Sequence, residues 1–149
     1  MTFSKIVVAT DFSTCSKTAL RTAMEIGSKL EASITLCHVV ASLTYSPLDK
    51  SLFGSDRPKY TLSEYLQEAA RRELATFVAD VPGAEDIESV VRAGDPVQSI
   101  LDVVQDGGYD LLVMGARGRS KLGHFLMGSV AERVVRAAKC AVLTVPGQE

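Results

Sequence analysis

Short apolar runs alternate along the chain with segments in which apolar residues follow helical spacing. The runs predict strands at Lys5–Thr10, Ser33–Val40, Ile87–Arg92, Leu111–Met114 and Ala141–Val145. Helical spacing predicts a helix in each interval between them. Because the strands are apolar on both faces, they indicate a parallel sheet that helices cover on either side. Right-handed crossovers then favour an α/β fold with a single doubly wound five-stranded parallel sheet of order 3-2-1-4-5.

The starts of the predicted helices carry capping signals. These signals are Ser13, Thr61-x-x-Glu64, Asp95-Pro96 and Ser129-x-x-Glu132. Residues 41–60 lie between the second strand and the second helix and predict a long surface loop. Such a loop in a compact domain is usually functional or mobile.

A bend marked by glycines joins the fourth strand to the last helix. Two residues separate Gly115 from Gly118, and nine more separate Gly118 from Gly128 and Ser129. Glycine lets backbone N–H groups approach a ligand closely, and a helix start adds unpaired N–H groups at the positive end of the helix dipole. The bend therefore predicts a phosphate cradle. It matches neither the dinucleotide fingerprint, which belongs after the first strand, nor a P-loop.

The predicted strand order brings this bend close to an acidic residue. Ligands of open α/β sheets bind beyond the carboxyl ends of the strands, where the winding reverses. In the order 3-2-1-4-5 that point lies between strands 1 and 4, so Asp11 should lie near Gly115. Asp11 has a second interpretation, in which it only lies next to the N-cap of the first helix and binds no ligand. Ser13 can cap that helix unaided.

Composition argues against several other classes of protein. The 149 residues carry a net charge of −2 and contain no basic block, which argues against nucleic-acid binding. No apolar stretch reaches the length of a membrane span, and the N-terminal segment lacks a signal-peptide pattern, so we expect a cytoplasmic protein. The cysteines, Cys15, Cys37 and Cys140, form neither a disulfide framework nor a zinc pattern, and no metal site is predicted.

Four segments together resemble a known family. They are Ala9-Thr10-Asp11-Phe12-Ser13, His38-Val39, Met114-Gly115-x2-Gly118-x9-Gly128-Ser129-Val130 and Val142-Leu143-Thr144-Val145-Pro146. In this spacing they resemble the universal stress proteins (the UspA superfamily), in their ATP-binding subgroup. The likeness covers nearly the whole chain, so residues 1–149 would form one nucleotide-binding domain of that kind.

The resemblance implies ATP or another adenine nucleotide as ligand, with or without Mg²⁺. Residues after the first and second strands would surround the base and ribose, with Asp11 on the ribose or adenine side. The bend and the last helix would bind phosphate oxygens through backbone N–H groups. The binding residues implied in this way are Ala9, Thr10, Asp11, Val39, Met114, Gly115, Gly118, Gly128, Ser129 and Val130.

Charged residues inside the bend leave two interpretations open. Arg117 and Arg119 could neutralise a triphosphate, or they could lie with Lys121 on a solvated loop face. We count Arg117 and Arg119 among the predicted ATP-binding residues. His38 is a candidate general base, although a structural histidine is the commoner case, and His124 is expected to be a loop residue.

The sequence favours a regulatory ATP-binding stress-response protein over a catalyst. Asp11 has no evident catalytic companions, so we assign no catalytic residue and expect at most weak ATP hydrolysis. The alternative is a slow ATPase or phosphotransferase that uses Asp11. A signalling receiver phosphorylated on aspartate is disfavoured, since Pro146 and not a lysine follows the last strand. The resemblance further implies a homodimer that pairs through Ala141–Val145, an apolar edge that proteins normally cover.

Overall fold

In the computed structural model, which describes residues 2–41, 62–117 and 127–147, strands and helices alternate as the apolar pattern predicts. The strands are β1 (Lys5–Ala9), β2 (Ser33–Ala41), β3 (Glu88–Gly94), β4 (Leu111–Gly115) and β5 (Ala141–Val145). The helices are α1 (Thr14–Leu30), α2 (Leu62–Ala79), α3 (Pro96–Gly107) and α4 (Ser129–Ala137). The α/β class is therefore confirmed.

All neighbouring strands pair in parallel, and the sheet has the order β3-β2-β1-β4-β5. This order confirms the predicted doubly wound sheet. Its central pair, β1 and β4, is in register from Ile6 opposite Leu111 to Ala9 opposite Met114. The two strands therefore end side by side, and the chain segments that follow them leave the sheet at the same edge.

Two apolar layers hold the helices on the sheet. Successive side chains of a strand point to opposite faces, and β1 follows this rule. Ile6 and Val8 pack in the layer formed with α1 and α2, whereas Val7 and Ala9 pack in the layer formed with α3 and α4. These four side chains are buried, whereas Lys5 at the start of the strand is exposed, so β1 is apolar on both faces from Ile6 onward.

The element boundaries differ from the predicted ones by one or two residues. β1 ends at Ala9 and not at Thr10, although the Thr10 N–H still donates to the Cys37 carbonyl at 2.9 Å. β3 continues to Gly94, and β2 includes Ala41, the first residue of the predicted loop. The rest of that loop and the predicted cap Thr61 lie outside the described residues. Within the described ranges, no helix has the length and apolar character needed to cross a membrane.

Candidate functional site

A cleft of about 300 Å³ opens where β1, β2 and β4 end. Every predicted site residue that the structure describes lines it. These residues are Ala9, Thr10, Asp11, Val39, Met114, Gly115, Arg117, Gly128, Ser129 and Val130. The two remaining predicted site residues, Gly118 and Arg119, lie outside the described residues, as do Lys121 and His124. The folded chain thus gathers residues that are more than one hundred positions apart in the sequence.

Further lining residues come from helices and from the second strand. They are Ser16, Cys37, His38, Pro96, Ile100 and Ala131. His38 was weighed from the sequence, but the other five were not proposed there. A signal for Pro96 does exist, because the Gly94-Asp95-Pro96 turn follows a strand at the same sheet edge. Nothing comparable marks Ile100 and Ala131, which the sequence presents as ordinary apolar helix positions.

One part of the cleft wall is apolar. Ile100 of α3, Ala131 of α4 and Met114 of β4 are buried in one apolar cluster, and all three line the cleft. Cys37 completes this wall from β2, and burial raises the pKa of its thiol to about 11, with a smaller opposing effect of the Arg92 charge. The thiol is therefore protonated at neutral pH, so it contributes an apolar surface to the cleft and no nucleophile.

The opposite wall is a tight turn that holds Asp11. The Phe12 N–H donates to Thr10 Oγ1 at 3.0 Å, and the Ser13 N–H donates to Asp11 Oδ1 at 3.0 Å. These are two successive turns closed by side chains, the kind of local bond that Thr and Asp readily form with the backbone. The Asp11 carboxylate is therefore fixed before any ligand arrives.

Buried hydroxyl groups support this turn from below. Ser16 Oγ donates to the Ser13 carbonyl at 2.9 Å and lies 2.8 Å from Thr10 Oγ1. Since the single Ser16 proton is used on that carbonyl, the Thr10 hydroxyl donates to Ser16 Oγ. Thr10 and Ser16 are buried, and each hydroxyl has both a donor and an acceptor partner. The turn thus has a hydrogen-bond network with one consistent direction.

His38 closes the turn from β2. Its Nδ1 lies 2.8 Å from the Thr10 carbonyl, which can only accept, so Nδ1 carries the proton. The imidazole ring also stacks on Phe12, with ring centroids 4.2 Å apart and planes tilted by 32°. Both contacts give His38 a structural role in shaping the turn, in line with the expectation of a structural histidine and not of a general base.

The glycine bend is fastened to the last strand. The Ala116 N–H donates to the Val145 carbonyl at 2.8 Å, and the Ala116 carbonyl accepts from the Gly128 N–H at 2.7 Å. A single residue therefore links β5, the end of β4 and the start of α4. Gly115 lies tightly against Cys15, since a Cβ at position 115 would approach the Cys15 sulfur to 2.8 Å. The absence of a side chain at Gly115 is thus a packing requirement.

The start of α4 differs from the sequence prediction. The N-cap is Gly128, with φ −61° and ψ 152°, and no side chain caps the helix. Ser129 is the first helical residue, so the prediction that its hydroxyl is the cap was wrong. The hydrogen bond from the Gly128 N–H to the Ala116 carbonyl holds Gly128 in an extended conformation at the cap position, so the helix starts one residue earlier than a Ser129 cap would give. Glu132 forms an ion pair with Arg136 at 2.9 Å.

Arg117 is the last described residue of the bend after β4. Its Nη2 atom lies near the chain that follows β5. A Cβ added at Gly147 would be 3.3 Å from that nitrogen. The residue lines the cleft while its guanidinium group rests near Gly147. Across the described ranges, no group of three or more His, Cys, Asp or Glu side chains is placed to hold a metal ion.

Known proteins share both the sequence pattern and the architecture of this chain. The model of the universal stress protein family matches residues 2–146. Universal stress protein YxiE of Bacillus subtilis is 30% identical over 149 residues, which cover 96% of this chain and 99% of that protein.

Solved structures agree with this result. The universal stress protein UspA from Lactobacillus plantarum superposes with a TM-score of 0.73 at 26% identity, over 97% of this chain and 99% of that chain. The crystal structure of a universal stress protein in complex with cAMP gives a TM-score of 0.61 at 26% identity, over 99% of this chain and 100% of that chain. By sequence and by architecture, the chain belongs to the universal stress protein family.

Proposed function

We propose that this protein is a stress-response regulator of the ATP-binding subgroup that binds an adenine nucleotide, with ATP as the first candidate, in the cleft between β1 and β4. It would act in the cytoplasm as one nucleotide-binding domain. The observation that carries the proposal is that predicted site residues from 9–11, 39, 114–117 and 128–130, chosen from sequence alone, converge on one cleft. With a volume of about 300 Å³, the cleft lies at the small end of typical ligand sites.

The two kinds of cleft wall suit the two ends of a nucleotide. Cys37 and Ile100 offer an apolar surface on which a base can lie. Asp11 offers fixed carboxylate oxygens, which accept hydrogen bonds from ribose hydroxyls or from the adenine amino group. Backbone N–H groups at the start of α4 suit phosphate oxygens, since no side chain caps them and the helix dipole favours an anion there.

A relative supports the ligand class. The solved universal stress protein in complex with cAMP shares 26% identity with this chain across nearly its whole length. That ligand is an adenine nucleotide, which is the class that the cleft walls favour here. It does not select among ATP, AMP and cAMP, so the phosphate number of the ligand stays a prediction.

Ligand identity can be tested on the purified protein. We expect mass spectrometry of the denatured protein to release an adenine nucleotide. We also expect calorimetric titration to give tighter binding of ATP than of GTP by about tenfold or more, because the unpaired edge groups of the wrong base lose hydrogen bonds in a buried site. Titrations with and without Mg²⁺ decide whether a metal accompanies the phosphates. A folded protein that binds no adenine nucleotide at millimolar concentration would overturn the proposal.

A substitution at Asp11 distinguishes a regulatory protein from an enzyme. We expect turnover with Mg²⁺ and ATP far below about 1 s⁻¹, the lower end for kinases. In the alternative, a slow ATPase or phosphotransferase, Asp11 takes part in the reaction. Asp11→Asn keeps an oxygen that can accept from the Ser13 N–H but removes the charge. Lost turnover with retained ATP binding would favour the enzyme, whereas lost binding alone favours the regulator.

We also propose that the protein forms a homodimer through β5. This strand lies at one edge of the described sheet and is apolar, with Ala141 to Thr144 only partly covered. Edges of this kind are normally paired or shielded. We expect light scattering at micromolar concentration to give a dimer.

A charge on the β5 edge tests this interface. Thr144→Lys should shift the protein toward monomer, because like charges would meet across a symmetric strand pair. Ser89→Lys is the matched control, since it places the same charge on β3 at the opposite edge. Equal dimer dissociation constants in the two variants would place the interface elsewhere.

A further inference from the structure

The turn that carries Asp11 has an unusual backbone at its centre. Phe12 has a φ of 65°, in the left-handed region that glycine adopts freely and a bulky side chain adopts rarely. In the described part of the chain, Glu31 is the other non-glycine residue with positive φ, and it lies at the C-cap of α1, where such a conformation is common. Phe12 lies at no helix end: the side chains of Thr10 and Asp11 close the turn around it, and holding its bulky side chain in that turn calls for a further interaction.

Aromatic contacts provide that interaction. The Phe12 ring stacks on His38 at a centroid distance of 4.2 Å and meets the edge of Phe77 at 5.8 Å. Phe77 is a buried residue of α2, and His38 is tied to the Thr10 carbonyl. The two partners therefore belong to different elements, and together they fix where the Phe12 ring lies.

The conformation of Phe12 determines where the carboxylate lies. Phe12 is the central residue of the turn closed between Asp11 Oδ1 and the Ser13 N–H. The torsions of a central residue set the direction of the following N–H group. If Phe12 left the left-handed region, the Ser13 N–H would turn away from Asp11 and the hydrogen bond between them would be lost.

We propose that Phe12, held by the His38 and Phe77 rings, is the positioning residue that fixes the Asp11 carboxylate for its ligand. This inference rests on the proposed binding of an adenine nucleotide and adds a residue that acts on the ligand only through Asp11. A further consequence is that α2, which contributes no residue to the cleft wall, influences the site through Phe77.

The first experiment needs no ligand. Phe12→Gly keeps the left-handed conformation accessible but removes the ring contacts. We expect the Ser13 amide to exchange with solvent about tenfold faster in this variant, because the turn opens more often. Glu31→Gly is the matched control, since it makes the same change at the other left-handed residue, at the far end of α1. An unchanged exchange rate for the Ser13 amide in Phe12→Gly would overturn the proposal.

The second experiment measures whether Phe12 acts through Asp11. ATP dissociation constants are determined for the wild type, Phe12→Gly, Asp11→Ala and the double variant, which form a double-mutant cycle. We expect Phe12→Gly to weaken ATP binding about fivefold in the wild type, the size of one aromatic pair contact. In the Asp11→Ala background, Phe12→Gly should change the ATP dissociation constant by less than about twofold.

Equal losses in both backgrounds would mean that Phe12 only stabilises the fold, and would overturn the inference. Thermal unfolding of each variant shows that the comparison is made on folded protein. If the wild type binds no adenine nucleotide, the proposed function fails. The amide-exchange measurement still decides the role of Phe12 in that case.

Discussion

Three helices begin at the border of the cleft, and their first turns are built in two different ways. α1 is capped by Ser13, whose Oγ accepts from the Ser16 N–H at 3.1 Å. α3 is capped by Asp95, whose carboxylate accepts from the Gln98 N–H at 2.9 Å. α4 begins after Gly128 and has no side-chain cap.

The difference indicates where an anion should bind. A capping side chain satisfies one of the N–H groups that a helix start leaves unpaired, and the Asp95 cap brings a negative charge of its own. Pro96 also removes one N–H group from the first turn of α3. The start of α4 keeps its N–H groups available to an external acceptor, so the phosphate end of the proposed ligand should lie there and not at α1 or α3.

The largest effect is expected from giving α4 the cap that it lacks. Gly128→Asp places a carboxylate where it can accept from the helix N–H groups, in a backbone conformation open to any residue. We expect ATP affinity to fall by about 100-fold, since charge-assisted hydrogen bonds of about 1.5–3 kcal/mol are lost and like charges repel. Calorimetric titration measures this change. Gly128→Ala is the control for the added Cβ, and equal affinities in the two variants would contradict the comparison.

A smaller effect is expected at the first residue of α4. Ser129 is exposed and is not the cap, so Ser129→Ala should change the free energy of unfolding by less than about 0.5 kcal/mol. Its hydroxyl borders the cleft, and we expect ATP binding to weaken about tenfold, the value of a hydrogen bond to a charged group. A loss of about 1 kcal/mol, as for other N-caps, would mean that Ser129 caps α4 after all.

The capped helices should respond in the opposite way. Removing the cap with Ser13→Ala or Asp95→Ala should lower the free energy of unfolding by about 1 kcal/mol, as for other N-caps. Urea denaturation followed by circular dichroism measures this loss. ATP affinity should change by less than about twofold in either variant. A loss of binding as large as that of Gly128→Asp would show that the phosphates lie elsewhere.

The smallest effect concerns salt. Raising the salt concentration from 0.1 to 1 M shortens the screening length from about 10 to about 3 Å. We expect ATP binding to weaken about threefold over this range, because phosphate charge interacts with the α4 dipole and the Arg117 side chain. Adenosine, which lacks the phosphates, should bind equally well at both concentrations. If salt weakened the binding of ATP and of adenosine equally, the effect would not come from phosphates at α4, and the prediction would be contradicted.

The fold could be predicted because its signal repeats along the chain. Strands such as β1 are buried on both faces, and that burial requires the apolar runs from which the parallel sheet was inferred. The position of the cleft followed from the strand order, because parallel strands such as β1 and β4 end at the same sheet edge. Asp11 and Gly115 could therefore be placed together without any knowledge of side-chain contacts.

Other features depend on tertiary distances that a sequence does not state. Ile100 was assigned to a buried helix face, and the sequence cannot tell a face that meets another element from one that borders a cleft. The cap of α4 was misplaced by one residue because the bond between Gly128 and Ala116 joins two ends of a bend. The left-handed conformation of Phe12 was not predicted, because the rings that pack on it come from β2 and α2, far away in the sequence.

The close approach of Cys15 to Gly115 has a consequence for how this sequence can change over time. The two residues compete for space, since a Cβ at position 115 would lie only 2.8 Å from the Cys15 sulfur. Alanine therefore has different effects at the two positions. Cys15→Ala removes the sulfur and leaves room, whereas Gly115→Ala creates a clash with that sulfur. We expect lineages that acquire a larger residue at 115 to have passed through an ancestor with glycine or alanine at 15.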